Sequence, residues 1–377
     1  MSEFRIFILH VAVFTFLTNP TYAEGDLPVD IHRSRMEYVA DVSPISMQWA
    51  LQRKSSDPIE VLVKKLGSKR YDFYRPEIEA LVVDQEKFFW ELKADRFVAE
   101  GGDAGGSVKP HKFSSAFDGD VFYGIEGDDP VAYVVDPKER HLGDSVRVEA
   151  LMWCGLRIEV GSPLQCDILA HLDSDGELVS VEFQTIGTTD FVVVTIRPEA
   201  PRYKFTNKVL MDRRQRYFLD PSKGYAVAQV EWLLPDERLV CRALNTDWIQ
   251  LSNPALWLPK TTKVQWYTWF YSENDHYPEG LFSETITRTK VTRDLGSRPL
   301  FHPDLGAPGI YVSDFRPAAA QRPGAQWNEY RNSWDYTNLP AKVAVGAGNT
   351  TFRIALILLN VIVFGSLAWL LWRRGRA

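Results

Sequence analysis

Between Glu86 and Thr292 the sequence keeps returning to a period of two. Phe88, Trp90 and Leu92 alternate with Lys87, Glu91 and Lys93, and Val179, Val181 and Phe183 with Ser180, Glu182 and Gln184. Ala226, Ala228, Val230 and Trp232 stand against Gln229 and Glu231, and Val264, Trp266 and Phe270 against Lys263 and Gln265. Successive side chains of a strand point to opposite faces, so each segment has one apolar face to bury. Val131–Asp136 and Phe191–Arg197 read as further short strands. Phe117-Asp118-Gly119-Asp120-Val121 carries the Asp-Gly pair of a tight antiparallel turn. Ser283–Thr292 alternates but is polar, which predicts an edge strand with Arg288 and Lys290 outward. Together these segments predict a long antiparallel meander.

Helix signals are fewer. Glu24–Ser43 has no sustained period and reads as an irregular lead-in, and Ser43 with Pro44 then predicts a helix over Pro44–Lys54. Asp57, Pro58 and Glu60 begin a second helix that Lys64, Lys65 and Gly67 end, with Ile59, Leu62, Val63 and Leu66 on one face. Ser162, Pro163 and Gln165 form a capping box for a helix running to about Leu172, with Leu164, Ile168 and Leu172 inward. Asp173–Gly176 then turns into the strand at Leu178. A sheet with a few covering helices is an α+β arrangement.

From Gly296 to Asn349 the strands are predicted to stop, because Pro299, Pro303, Pro308, Pro317, Pro323 and Pro340 interrupt any ladder or helix. The segment 296–350 reads as a stalk, or as a strap over the body. Trp327, Tyr330, Trp334 and Tyr336 indicate that part of it packs or meets a partner.

The two ends give an address. Arg5, the apolar run Ile6–Leu17 and the small residues around Thr21-Tyr22-Ala23 read as a signal peptide over 1–23. Ile354–Trp372 carries no charge and is followed by Arg373, Arg374 and Arg376, with Trp369 and Trp372 at the interface. The expectation is a transmembrane helix over 351–373 in the cytoplasmic (inner) membrane, a cytoplasmic tail over 374–377, and the 24–295 body on the periplasmic side. A formal net charge of −6 with both signs interspersed offers no surface for nucleic acid. Cys154, Cys166 and Cys241 have no framework or metal-ligand spacing and read as three buried thiols, although an oxidising compartment would also allow one bridge.

No catalytic signature is present: no Gly-x-Ser-x-Gly, no His-Glu-x-x-His, no phosphate loop and no dinucleotide fingerprint. His32, His111, His141, His171, His276 and His302 are scattered, and His171 is expected to face the last carbonyls of its helix. Asp173, Asp175 and Glu177 lack the remaining ligands of a calcium loop. The reading is a non-enzymatic protein without metal or cofactor. Phe88, Trp90, Trp232, Trp266 and Phe270 either pack a core or line an apolar cavity on the concave side of a curved sheet. They are the candidate ligand-binding residues.

The order of elements resembles the LolA/LppX-like fold of periplasmic lipoprotein carriers and outer-membrane lipoprotein-sorting-like proteins. The likeness rests on the leading helices and on Phe117-Asp118-Gly119 with Phe122 and Tyr123. It also rests on Leu219-Asp220-Pro221 with Gly224-Tyr225, and on Leu256-Trp257-Leu258-Pro259-Lys260. The chain is similar too to membrane-anchored envelope proteins of planctomycete type. The resemblance implies an incomplete β-barrel closed by helices, with an interior that takes acyl chains. A carrier diffuses between membranes, which a C-terminal span forbids. A tethered module that holds or senses a lipid, lipoprotein or other apolar ligand is therefore expected. The other expectation is a structural envelope component that binds a partner protein.

Overall fold

The computed structural model describes residues 27–55, 57–58, 61, 77–99, 106–126, 131–136, 148–159, 162–174, 176–198, 213–251, 256–268, 276–295, 301 and 310–337. The signal peptide expected over 1–23, most of the helix expected over 57–67, Phe270, and the span and tail expected over 351–377 lie outside these residues. Among the described residues no helix is long and apolar enough to cross a membrane.

The chain opens with α1 (Val29–Val42), followed by β1 (Ile45–Lys54), β2 (Glu77–Asp84), β3 (Lys87–Ala99), β4 (Gly106–Phe117), β5 (Phe122–Glu126) and β6 (Val131–Val135). A segment with α2 (Glu149–Met152), β7 (Leu156–Glu159), β8 (Ser162–Cys166) and α3 (Asp167–Asp173) comes next. Then follow β9 (Glu177–Ile186), β10 (Thr189–Arg197), β11 (Arg214–Asp220), β12 (Ala226–Leu233), β13 (Leu239–Leu251), β14 (Leu256–Trp266) and β15 (Phe282–Thr292). Last come β16 (Tyr311–Asp314), β17 (Gln326–Asn328) and β18 (Ser333–Thr337).

Apart from β7 and β8, which pair with each other, the strands form one curved, unclosed 16-stranded sheet. Its order is β17-β18-β16-β6-β5-β4-β3-β2-β1-β15-β14-β13-β12-β11-β10-β9. Pairing is antiparallel except between β16 and β6. The strand at Ser283–Thr292 is therefore central, between β1 and β14, rather than an edge. Its Arg288 is turned inward and is only 1% exposed. The segment after Gly296 does not end the strands either, since β16 to β18 extend the sheet at its far side.

Three helix assignments differ from expectation, each for a local reason. Ile45, Met47, Trp49 and Leu51 are buried at period two, so Pro44–Lys54 is β1; its apolar alternation outweighs the Ser-Pro start signal. The lead-in instead holds α1, whose buried stripe is Ile31, Arg35, Tyr38 and Val42. An arginine in the stripe hides its apolar period. The capping box at Ser162 is not used, because Ser162–Cys166 pairs with β7 and α3 starts at Asp167.

Residues opposite one another in a ladder share a face, which fixes an inner face. Across β2, β1 and β15 it carries Glu79, Trp49 and Arg288 in one row, and Glu77, Leu51 and Ile286 in the next. The α1 helix and residues 148–169 pack against this face and complete the main core. A smaller core lies between Ala116, Tyr123, Val134, Val312 and Tyr336 at the far side.

Candidate functional site on the inner face of the sheet

The segment 148–173 reaches the inner face through aromatic contact. Trp153 is fully buried, with its ring 5.3 Å from Trp232 of β12 and 6.2 Å from Trp266 of β14. Trp232 and Trp266 are 5.9 Å apart, and Trp266 stacks on Phe282 at 5.8 Å. Gly155 permits the close approach of this segment. Its φ is +67°, and a Cβ there would sit 2.7 Å from Val227.

Because 148–173 adds no strand to the main sheet, part of its backbone must find partners among side chains. Arg35 of α1 donates to the carbonyls of Cys154 (3.3 Å), Gly155 (2.9 Å) and Tyr225 (3.2 Å), and to Cys166 Sγ (3.3 Å). Arg288 donates to the carbonyls of Ala150 and Pro259, to Thr262 Oγ1 (3.0 Å) and to Cys154 Sγ (3.2 Å). Asn245 donates to the carbonyls of Trp153 (2.7 Å) and Val227 (2.8 Å) and accepts from Thr262 (2.6 Å). Both arginines are buried, and among the described residues neither has a carboxylate at ion-pair distance. Main-chain carbonyls, thiols and the Thr262 hydroxyl take up their donors, except Arg288 Nε, which is buried without a hydrogen-bond partner.

The three cysteines are free and buried. Burial pushes the Cys154 and Cys241 thiols up, so both are held as neutral thiols. At the far end of the segment, Asp167 accepts from Tyr217 at 2.8 Å and lies 3.2 Å from His171 Nε2. Burial opposes its charge, but His171 and Tyr217 outweigh it and hold the carboxyl below its usual range. His171 thus faces a carboxylate rather than the helix carbonyls.

Carboxylates gather where β1, β2, β15 and α2 meet. Arg53 pairs with Glu77 at 2.8 Å and Glu284 at 2.7 Å, and lies 3.6 Å from Glu149. Glu79 is beside them, 4% exposed, and accepts from Trp90 Nε1 at 2.8 Å; Glu284 accepts from Trp266 Nε1 at 3.0 Å. Burial pushes the Glu79 carboxyl up to about 7. Burial and the neighbouring Glu284 raise Glu149 well above the usual carboxylate range; its side chain is 32% exposed, but its Oε2 is buried without a hydrogen-bond partner. Glu79 therefore keeps its proton to about neutral pH beside a fixed guanidinium.

Of the residues singled out from the sequence, Trp232 and Trp266 are brought together in one aromatic group. Trp90 lies in β3, three places from β15 in the sheet order, with its ring 5.6 Å from Phe113, and shares the carboxylate cluster with Trp266. Phe88 is fully buried against Phe117 and Phe122, both at 6.3 Å. Phe270 lies outside the described residues. Sequence reasoning missed Arg35, Arg288, Glu79 and Trp153. Arg288 had a usable signal, since it shares parity with the inward Ile286.

No family model matches the sequence, and no curated protein matches it. Among solved structures the chain is similar to a DUF1329 family protein from Desulfovibrio piger. Identity is 10%, with 72% of this chain and 95% of that one covered and a TM-score of 0.41. It is similar to a putative outer membrane lipoprotein-sorting protein domain from Vibrio parahaemolyticus at 11% identity, covering 72% and 93%, TM-score 0.40. A LolA superfamily protein from Nitrosomonas europaea gives 9%, with 75% and 99% covered and a TM-score of 0.40. A lipoprotein-sorting protein domain and a LolA superfamily protein, the kinds of protein named in the resemblance read from the sequence, are thus among these structures.

Proposed function

We propose that this chain is a membrane-anchored extracytoplasmic binding module that holds or senses a lipid, lipoprotein or other apolar ligand on the inner face of its sheet. The observation that supports the reading is the segment 148–173. It occupies an aromatic sheet face without being a strand of the main sheet, and directional bonds from Arg35, Asn245 and Arg288 hold it there. A cover held in this way leaves by breaking side-chain bonds, while the main sheet ladders stay intact. Each net bond is worth about 1 kcal/mol, and each methylene of an entering acyl chain returns about 0.8 kcal/mol. An entering acyl chain thus offsets part of what the departing cover gives up, which includes the buried Trp153, Leu151 and Ile168 as well as these bonds. Phe88, Trp90, Trp232, Trp266 and Phe270 are the lining in this reading, and no chemistry is performed on the ligand.

The test is photo-crosslinking of the full chain in membranes that contain an acyl-diazirine phospholipid. Labelled peptides should include those with Trp232 and Trp266 as well as the segment 351–373. Labels confined to 351–373 would sink the proposal. A second reading, a structural envelope component that binds a partner protein, is favoured by Trp327 at 46% and Tyr330 at 97% exposure beside β17. Crosslinking from position 330 should then trap one recurrent protein.

A further inference from the structure

The two ends of the sheet are unlike. At one end the last strand, β17, has three residues; at the other, β9 has ten. Among the described residues β9 pairs on one side alone, with β10. It exposes Phe183 at 45% and Ile186 at 50%, and holds none of the proline or lysine that commonly blunts an edge. A row of unpaired backbone groups flanked by exposed apolar side chains is a template for another strand.

The strand's own irregularity limits what that other strand can be. Its pairing with β10 is regular from Ile186 back to Ser180; between Ser180 and Leu178 the register shifts. Regular pairing at the outer edge is thus confined to Ser180–Ile186, and the middle of that stretch is Phe183. Two such stretches related by a two-fold axis through Phe183 place Phe183 opposite the partner's Phe183. Val181 then meets the partner's Thr185, Glu182 meets the partner's Gln184, and Ser180 meets the partner's Ile186. Aromatic and β-branched cross-strand pairs stabilise a sheet, and an amide opposite a carboxylate supplies a hydrogen bond. No like charges face each other in this register. Moving the axis one residue to Glu182 sets two carboxylates directly opposite, which is destabilising. Moving it to Gln184 shortens the ladder. Composition and geometry therefore select the same axis.

We propose that two copies of this chain associate by antiparallel pairing of their β9 strands about a two-fold axis at Phe183, joining the two sheets into one. The self-complementarity of the inner pairs, Val181 with Thr185 and Glu182 with Gln184 about Phe183, points to a second copy as the occupant of the edge. An unrelated strand, or another segment of the chain, would make no use of it.

The full chain in mild detergent tests this. Cys154, Cys166 and Cys241 are buried, so an introduced cysteine supplies the accessible thiol. Phe183→Cys should crosslink to a dimer under mild oxidation, and Ile186→Cys alone should not. A mixture of Ser180→Cys and Ile186→Cys chains should give the mixed dimer. Gln184→Glu, which sets carboxylates opposite the partner's Glu182, should weaken dimerisation at least tenfold in sedimentation equilibrium, with an unchanged melting temperature showing that the fold is retained. Wild-type chain that stays monomeric at tens of micromolar overturns the proposal, whatever else covers the edge. So does equal crosslinking from positions 183 and 186.

Discussion

Replacing Glu79 by Gln should change how stability depends on pH, and the size of the change follows from burial. In the unfolded chain this carboxyl titrates near 4.5, whereas in the folded protein burial moves it to about 7. A raised carboxyl means that the folded state keeps its proton longer. The associated stability is complete below pH 4.5 and is lost as pH rises toward 7, with no further change above that. Each tenfold difference in proton affinity between the folded and unfolded chain corresponds to about 1.4 kcal/mol, so the folded protein loses about 3 kcal/mol through this group across the window. Glutamine keeps an oxygen for the Trp90 N–H and cannot ionise. It also removes a negative charge that helps to raise Glu149. Chemical denaturation of wild type and Glu79→Gln should therefore show the variant gaining about 3 kcal/mol relative to wild type between pH 4.5 and pH 8. Comparing the two chains cancels the acids away from the cluster, such as Asp167, which titrate alike in both. Parallel stability profiles would refute the reasoning, because they would mean that Glu79 is not held as a neutral acid inside the fold.

Other expectations concern the segment on the inner face. Gly155→Ala meets both a positive φ and a 2.7 Å contact with Val227, and should cost about 2 kcal/mol or more by denaturant titration. Trp153→Ala removes the centre of the aromatic group and should cost about 3–5 kcal/mol in the same assay. Arg288→Met leaves the carbonyls of Ala150 and Pro259 without their donor; a loss of about 3 kcal/mol is expected, and a neutral result would show that packing alone seats the segment. Cys154, Cys166 and Cys241 should resist a thiol reagent in the folded chain and react after unfolding, as a colorimetric thiol titration reads directly.

Strands were legible where one face is apolar and the other polar. The segments at Phe88, Val179, Val230 and Val264 all fall in observed strands, and the Asp118-Gly119 turn joins β4 to β5. Reading failed where the inward face carries charge. Arg288 in β15 and Glu77 and Glu79 in β2 occupy inner-face positions that a hydrophobic pattern assigns to solvent. Arg35 hid the stripe of α1 in the same way. Local start signals also misled at Ser43-Pro44 and at Ser162-Pro163, where the residues that follow pair as strands instead. The convergence of Arg53, Glu79, Glu149 and Glu284 was out of reach for a different reason. These residues are up to 231 positions apart, and sheet order together with the packing of α2 brings them together.

The placement of buried charge along 148–173 explains why this segment has one seat on the inner face rather than several. Aromatic contact with Trp232 and Trp266 is apolar and weakly directional, and would tolerate sliding. The polar contacts would not. Glu149 meets Arg53 at one end, Ala150 meets Arg288, Trp153 meets Asn245, Cys154 and Gly155 meet Arg35, and Asp167 meets Tyr217 at the other end. Each partner comes from a different element, so a shift of one residue would strand several buried groups at once, at about 1–3 kcal/mol apiece. If the segment departs as proposed, the same arrangement makes its departure cooperative, because losing one of these bonds misplaces the neighbouring ones. Under the proposed function, a cover of that kind over an aromatic sheet face offers a ligand two discrete states to choose between.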